Sequence, residues 1–310
     1  MAERDTAEAA RAALEPHLAS GYACGVAALI GRGDERCVVT LGAKALGGEP
    51  VRRDTIFRIA SMTKPVTAAA LMLIEEGRLA LDEPVDRLMP ELANRRVLNR
   101  IDSALDDTVP AARPITVEDV LTFRLGSGAV MAAPDSYPIL REIAALGLMG
   151  FGMPDPASPH DPKAWARALG SIPLMALPGE QWLYTAGSNV LGVLVASASG
   201  QTLPDFFQDR IFEPLGMADT AFYAPSDKVG RLATAYRHEA GRLVVWDPAE
   251  GGAWTRLPAF PAGDSGLVST LGDFFAFSRM LAHGGEAGGR RLLSPASIVA
   301  MTANHLIPAA

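Results

Sequence analysis

Ser61-Met62-Thr63-Lys64 places a hydroxyl and an amine three residues apart. On a helix that spacing puts both groups on one face, one turn apart. A serine hydroxyl is a weak nucleophile near neutral pH until a base takes its proton. A lysine that is desolvated, or set beside another cation, can be that base. Lysine is scarce in this chain: Lys44, Lys64, Lys163 and Lys228 stand against 24 arginines. Arginine cannot deprotonate, so lysine at position 64 favours chemistry over a merely solvated face. The bland alternative is a capping serine beside a surface lysine, because the spacing alone recurs by chance.

The flanking residues predict how the pair is positioned. Ile56-Phe57-Arg58-Ile59-Ala60 reads as a short apolar strand, Thr55 to Ile59, running into the motif. Pro65 fits only the first turn of a helix, so that helix cannot start much before Ser61 or Met62. The apolar run Val66 to Ile74 carries it to Gly77, a helix-stopping residue. Ser61 is therefore expected at a helix start, where free N–H groups and the positive end of the dipole stabilise developing negative charge.

A second stretch with chemistry is Trp182-Leu183-Tyr184-Thr185-Ala186-Gly187-Ser188. A tyrosine just ahead of a helix can project its hydroxyl into a cleft, and a nearby ammonium would lower its pKa by favouring phenolate. A half-buried tyrosine of no chemical consequence fits the same residues.

The remaining chain supplies a scaffold for an α/β protein. A helix from about Thr6 to Leu18 precedes two strands, Ala23 to Ile30 and Arg36 to Leu41, turning near Gly31-Arg32-Gly33-Asp34. Their register keeps Cys24 and Cys37 apart, so both are expected as buried thiols and not a disulfide. Short helices follow from Ala80 to about Gly179, including Thr116 to Leu121 and Pro162 to Leu169, with a proline-rich loop at 153–159. Longer helices are expected at Ser188 to Ser199, Leu203 to Phe212, Phe274 to Ala282 behind a Thr270 cap, and after Ser294-Pro295. The expected division is an α/β lobe of residues 1–80 and 205–310 and a mainly helical lobe of residues 81–204, with a cleft between them.

Bulk properties exclude several classes. With 310 residues, 49% hydrophobic and 20% charged, the chain has the make-up of an ordinary globular protein with a sizeable core. A net charge of −7 without any basic run argues against nucleic acid. The five histidines show no ligand spacing, so neither a metal nor another cofactor is expected. No stretch is long and apolar enough to span a membrane, and the charged N-terminus predicts a cytoplasmic protein. The oligomeric state is not legible.

The order of motifs resembles the serine β-lactamase and penicillin-binding family, and within it the family VIII carboxylesterases related to class C β-lactamases. The likeness runs from about Tyr22 to the C-terminus. It is carried by Thr55 to Lys64, by Trp182-x-Tyr184 with Leu191-Gly192 after it, by Ile211 to Met217, and by Gly266-Leu267-Val268-Ser269-Thr270. The resemblance implies a β-lactamase/transpeptidase-like fold, an antiparallel sheet flanked by helices plus an all-helical lobe. It implies Ser61 as the acyl-forming nucleophile, Lys64 as activating base or proton relay, and Tyr184 as the group that passes a proton to the leaving group. Whether Lys64 or Tyr184 accepts the serine proton is left open.

Three departures shape the expected substrate. Penicillin-processing members carry asparagine two residues after the tyrosine; here that residue is Ala186, and Asn189 sits further along the helix. The family's Thr-His-Thr-Ser-Gly is replaced by Thr122-Phe123-Arg124-Leu125-Gly126, which makes Phe123 and Leu125 candidate substrate contacts. Relatives carry a strand with Lys-Thr-Gly or Trp-Gly-Gly near the C-terminus that donates a second oxyanion N–H. The sequence reaches Ala310 without it, so an incomplete α/β lobe is expected. Gly263-Asp264-Ser265-Gly266 invites comparison with a serine-protease nucleophile loop, but the accompanying His and Asp segments are lacking. Gly263 and Asp264 are instead expected to line the cleft. The expectation is an esterase acting on short-chain acyl esters. A β-lactamase or D-alanyl-D-alanine carboxypeptidase is the enzymatic alternative, and a weak or inactive β-lactamase-like fragment the non-enzymatic one.

Overall fold

The computed structural model describes residues 2–33, 35–148 and 152–306, so Asp34 of the first expected turn lies outside the described residues. Helix α1 (Ala2–Ala19) packs on a hairpin of β1 (Gly25–Arg32) and β2 (Glu35–Gly42). Ile30 pairs with Cys37, and Cys24 precedes β1. The two thiols are free, but only Cys37 is buried; Cys24 is half-exposed because the strand begins one residue after it.

Strand β3 (Phe57–Arg58) is shorter than expected and leads into the Ser61 segment. That segment is a 3-10 turn (Ala60–Met62), then α2 (Thr63–Ala68), a second 3-10 turn (Ala69–Leu71) and α3 (Met72–Glu75). Pro65 has no N–H to donate back to the preceding turn, which explains why the run opens as the tighter helix. Gly77 ends it at φ 67°, a conformation that glycine adopts without a Cβ clash.

The stretch read as short helices also holds a hairpin, β4 (Arg96–Leu98) with β5 (Thr108–Pro110). After it come α4 (Val117–Leu121), α5 (Pro138–Ala145) and α6 (Pro162–Ser171). Thr116 and Asp119 cap α4 reciprocally, and Asp161 caps α6. Helix α7 (Ala186–Ser199) has every residue from Ala186 to Val195 buried. A helix buried on all sides in this way belongs in the centre, and α7 packs against α2, α3, α4 and α6. Next are α8 (Leu203–Phe207), a π-turn, and α9 (Glu213–Leu215).

The last third contains a hairpin outside the sequence-based expectations, β6 (Ala235–Glu239) with β7 (Arg242–Asp247). Strand β8 (Val268–Ser269) returns to pair antiparallel with β3. Helix α10 (Leu271–Ala282) carries the Thr270 cap, β9 (Glu286–Ala287) pairs with β10 (Arg290–Arg291), and α11 (Pro295–Thr302) is capped by Ser294. Among the described residues the strands form five antiparallel pairs. The main core surrounds α7, and a small satellite of Ile56, Ala224, Leu232, Trp254 and Val268 lies beside β3. No described helix is long and apolar enough to cross a membrane.

Candidate active site

Ser61 is exposed at the bend between β3 and α2. Two backbone conformations make that bend: Ile59 at φ −90°, ψ 1°, and Ala60 at φ 45°. A left-handed conformation costs a residue with a Cβ about 1–2 kcal/mol. Strain of this kind persists only where the surrounding structure over-determines it. Here it does: the Ile59 N–H donates to the Leu267 carbonyl (3.0 Å), and Arg58 pairs with Val268 across β3 and β8.

One turn on, Lys64 Nζ donates to Ser61 Oγ at 3.0 Å and to the Asp264 carbonyl at 2.9 Å. It also lies 4.3 Å from the centroid of the Tyr184 ring. Burial alone would raise the Tyr184 phenol, but hydrogen bonds from Ser61 and Lys64 and the Lys64 charge outweigh it. The phenol is held below its usual value. Ser61, Lys64 and Tyr184 thus come together, from segments more than a hundred residues apart.

Tyr184 is fixed by its neighbours on both sides. The Ala129 N–H donates to the Tyr184 carbonyl at 2.8 Å, and the Leu183 N–H donates to the Phe123 carbonyl at 2.8 Å. Immediately after it, Thr185 adopts φ 84°, ψ −62°, with the Ala186 N–H donating to the Tyr184 carbonyl at 3.2 Å. This is the rare, strained form of the γ-turn. It breaks the chain sharply at the start of α7 and aims Tyr184 away from the helix.

The 263–267 loop clamps the Ser61 helix. Thr67 Oγ1 donates to the Gly263 carbonyl at 2.6 Å, and the Leu267 N–H donates to Thr63 Oγ1 at 3.2 Å. Asp264 is buried, and burial pushes its carboxyl above the usual value against the pull of Ser265, Lys64 and Asn189. Asn189 Oδ1 accepts the Asp264 N–H at 3.2 Å, so the asparagine displaced along the helix supports the residue whose carbonyl holds Lys64. Sequence reasoning gave Asn189 no role; its signal is a polar amide in the first turn of a helix whose following residues are largely apolar. Ser265 Oγ donates to the Asp264 carboxylate at 2.7 Å.

The expected substrate contacts fall in different places. Phe123 is half-buried and its ring lies 5.8 Å from that of Tyr184 and 6.0 Å from that of Trp182. Leu125 is 0% exposed and belongs to the main core. Gly263 abuts the Ser188 carbonyl so closely that a Cβ would collide with it. Asp264 meets Lys64 through its backbone carbonyl. Ala186 is fully buried at the first position of α7. Among the described residues no group of three or more His, Cys, Asp or Glu side chains could hold a metal ion.

Residues 10–309 match the family described as Beta-lactamase. The chain belongs to that family. Its mixed α/β architecture is the β-lactamase/transpeptidase-like fold, seen also in the solved structure of "EstCE1, a hydrolase with promiscuous acyltransferase activity". The two are 27% identical with a TM-score of 0.77, over 96% of this chain and 77% of the other. Protein Rv1367c of Mycobacterium tuberculosis (strain ATCC 25618 / H37Rv) is 40% identical over 260 residues, 84% of this chain and 62% of that protein. Lovastatin esterase of Penicillium rubens is 34% identical over 273 residues, 86% of this chain and 64% of that enzyme. The β-lactamase-family chain thus spans less than two thirds of the length of these two relatives.

Proposed function

We propose that this chain carries a serine hydrolase centre that cleaves carboxylic esters through an acyl-enzyme at Ser61. The observation that carries the reading is the directed hydrogen bonding at Ser61. The Lys64 ammonium donates to Ser61 Oγ at 3.0 Å, which leaves the Ser61 O–H free for Tyr184, whose phenol is held below its usual pKa.

Ser61 Oγ attacks the ester carbonyl carbon as its proton passes to Tyr184. Lys64 stays cationic and stabilises the phenolate and the emerging Oγ–carbon bond. The Ser61 N–H donates to the carbonyl oxygen as it becomes an oxyanion. When the tetrahedral intermediate collapses, the ester C–O bond breaks and the alkoxide takes the proton from Tyr184. Water then adds to the acyl-Ser61 carbonyl, gives a proton to Tyr184, and the serine leaves with it. Ser61, Lys64 and Asp264 come from the proposed α/β lobe, whereas Phe123 and Tyr184 come from the proposed helical one, as a cleft between lobes requires.

An ester is favoured over a β-lactam or a peptide. Position 186, where penicillin-processing relatives hold the substrate amide with asparagine, presents a buried methyl group. Similarity to a protein named as a lovastatin esterase supports the same side. The test is fluorophosphonate labelling located by peptide mass spectrometry, together with a p-nitrophenol burst from short-chain esters. Label on Ser61 and loss of the burst in Ser61→Ala are expected. Unlabelled Ser61 sinks the proposal, and nitrocefin turnover matching ester turnover overturns the ester preference.

A further inference from the structure

The rings beside Tyr184 form a surface that the proton chemistry does not need. Trp182 is 45% exposed and stacks on Tyr184, with centroids 5.6 Å apart and planes 28° from parallel. Phe123 meets Trp182 edge-on, at 6.0 Å and 61°. A large ring left half in water gives up burial energy, on the scale of about 25 cal/mol for each Å² of apolar surface.

Two residues of this cluster adopt costly backbone. Phe123 sits at φ 58°, and Thr185 occupies the strained turn that ends the Trp182-Leu183-Tyr184 segment. Both are residues with side chains in a region of φ that favours glycine. Neither conformation hides the Trp182 ring. Backbone strain of this kind clusters at active and ligand-binding sites.

The position of the stack tells which half of a substrate it meets. Tyr184 delivers its proton to the leaving oxygen, so the group attached to that oxygen extends past the Tyr184 hydroxyl. Trp182 is the next surface in the stack. We infer that Trp182, backed by Phe123, is the specificity-determining surface for the alcohol half of the ester and selects flat or ring-bearing apolar alcohols. The inference rests on the reading of Ser61 and Tyr184 given above. It predicts that selectivity resides in the alcohol, whereas the acyl group can stay short.

The test holds the acyl group constant. Ethyl acetate and 2-naphthylethyl acetate both leave a primary alkoxide and yield the same acetyl-Ser61, so a ratio of their kcat/KM values reports recognition of the alcohol alone. The wild-type chain is expected to favour the naphthyl ester. In Trp182→Ala that preference falls about tenfold, the equivalent of ~1.4 kcal/mol. Trp182→Leu keeps apolar bulk without the flat face and is expected to fall between the two. Naphthylethanol is expected to inhibit the wild type more strongly than ethanol, a measurement that needs no variant. Equal losses on both esters in Trp182→Ala would reduce Trp182 to a support for Tyr184 and overturn the inference. So would equal inhibition by the two alcohols. If Ser61 takes up no acetyl group from either ester, the underlying reading fails together with this one.

Discussion

Replacing Lys64 by methionine removes one positive charge while keeping much of the length of the side chain. With the ammonium go the 3.0 Å donation to Ser61 Oγ, the 2.9 Å donation to the Asp264 carbonyl, and the approach to the Tyr184 ring at 4.3 Å. A unit charge at that last distance interacts with a phenolate by about 4 kcal/mol at an effective dielectric of about 20. Both groups are partly exposed, so water reduces this to about 0.2–1 kcal/mol. The lost orientation of Ser61 adds to it, because a positioned proton-transfer group contributes about 10²–10⁴-fold. The acylation rate of Lys64→Met, read from the p-nitrophenol burst, should fall by a factor in that range. The Tyr184 phenol should also titrate higher, as followed by ultraviolet difference spectra against a Tyr184→Phe control. The sign for stability follows from the depressed native value. Such a group adds stability above its unfolded pKa of about 10 and loses it as pH falls through the lower folded value. Wild type should therefore gain on Lys64→Met across the alkaline window just below about pH 10, and not at neutral pH. A variant that acylates within about threefold of wild type, or a Tyr184 titration that does not move, would refute the assignment of Lys64.

Three further substitutions test the supports of the site and fold. Asn189→Leu leaves the buried Asp264 N–H without its 3.2 Å acceptor, and should cost about 1–3 kcal/mol in urea denaturation while lowering acylation more than KM. Arg95 is buried without a carboxylate partner among the described residues, and burial pulls its guanidinium down to about 10. It donates to the carbonyls of Leu169, Gly170 and Ile172 at the end of α6, so Arg95→Met should cost about 2–3 kcal/mol by the same measurement, with the Ser61 labelling rate unchanged. Ala60→Val should be less stable than Ala60→Gly by about 1–2 kcal/mol in thermal or urea unfolding, because a β-branched side chain tolerates positive φ poorly.

The parts of the fold legible in the sequence are those written in local chemistry. Thr116, Thr270 and Ser294 each cap the helix that follows, and Gly77 and Gly200 end helices with left-handed backbone. Pro65 locates the start of the Ser61 helix to within two residues. The β6–β7 hairpin escapes sequence reasoning although its signal is local. Its turn is Ala240-Gly241, both at positive φ, a pairing that fits the twist of a hairpin, but alanine is an unusual first residue there. Cys24 departs from expectation for a boundary reason, since one residue decides whether a side chain sits inside the strand or at its open end. The β4–β5 hairpin offers only three residues a strand, and its Pro110 reads as a breaker.

The site divides along the same line. Ser61 and Lys64 lie within a single turn at one helix start, so composition and spacing reveal them. What holds them is not local. Thr63, Thr67, Lys64 and Ile59 each bond to the 263–267 loop, about two hundred residues on, and Asn189 bonds to it from α7. These bonds use main-chain atoms of the loop, which no residue type encodes. In the sequence the loop is conspicuous for Ser265, whose hydroxyl is turned to the neighbouring carboxylate, and not for the Asp264 carbonyl that faces Lys64. A backbone carbonyl suits that task better than the carboxylate on the same residue. It orients the ammonium without a second negative charge beside Tyr184, which would oppose formation of the phenolate. The Asp264 carboxyl itself is buried and turned to Ser265, and burial raises its pKa above the usual value.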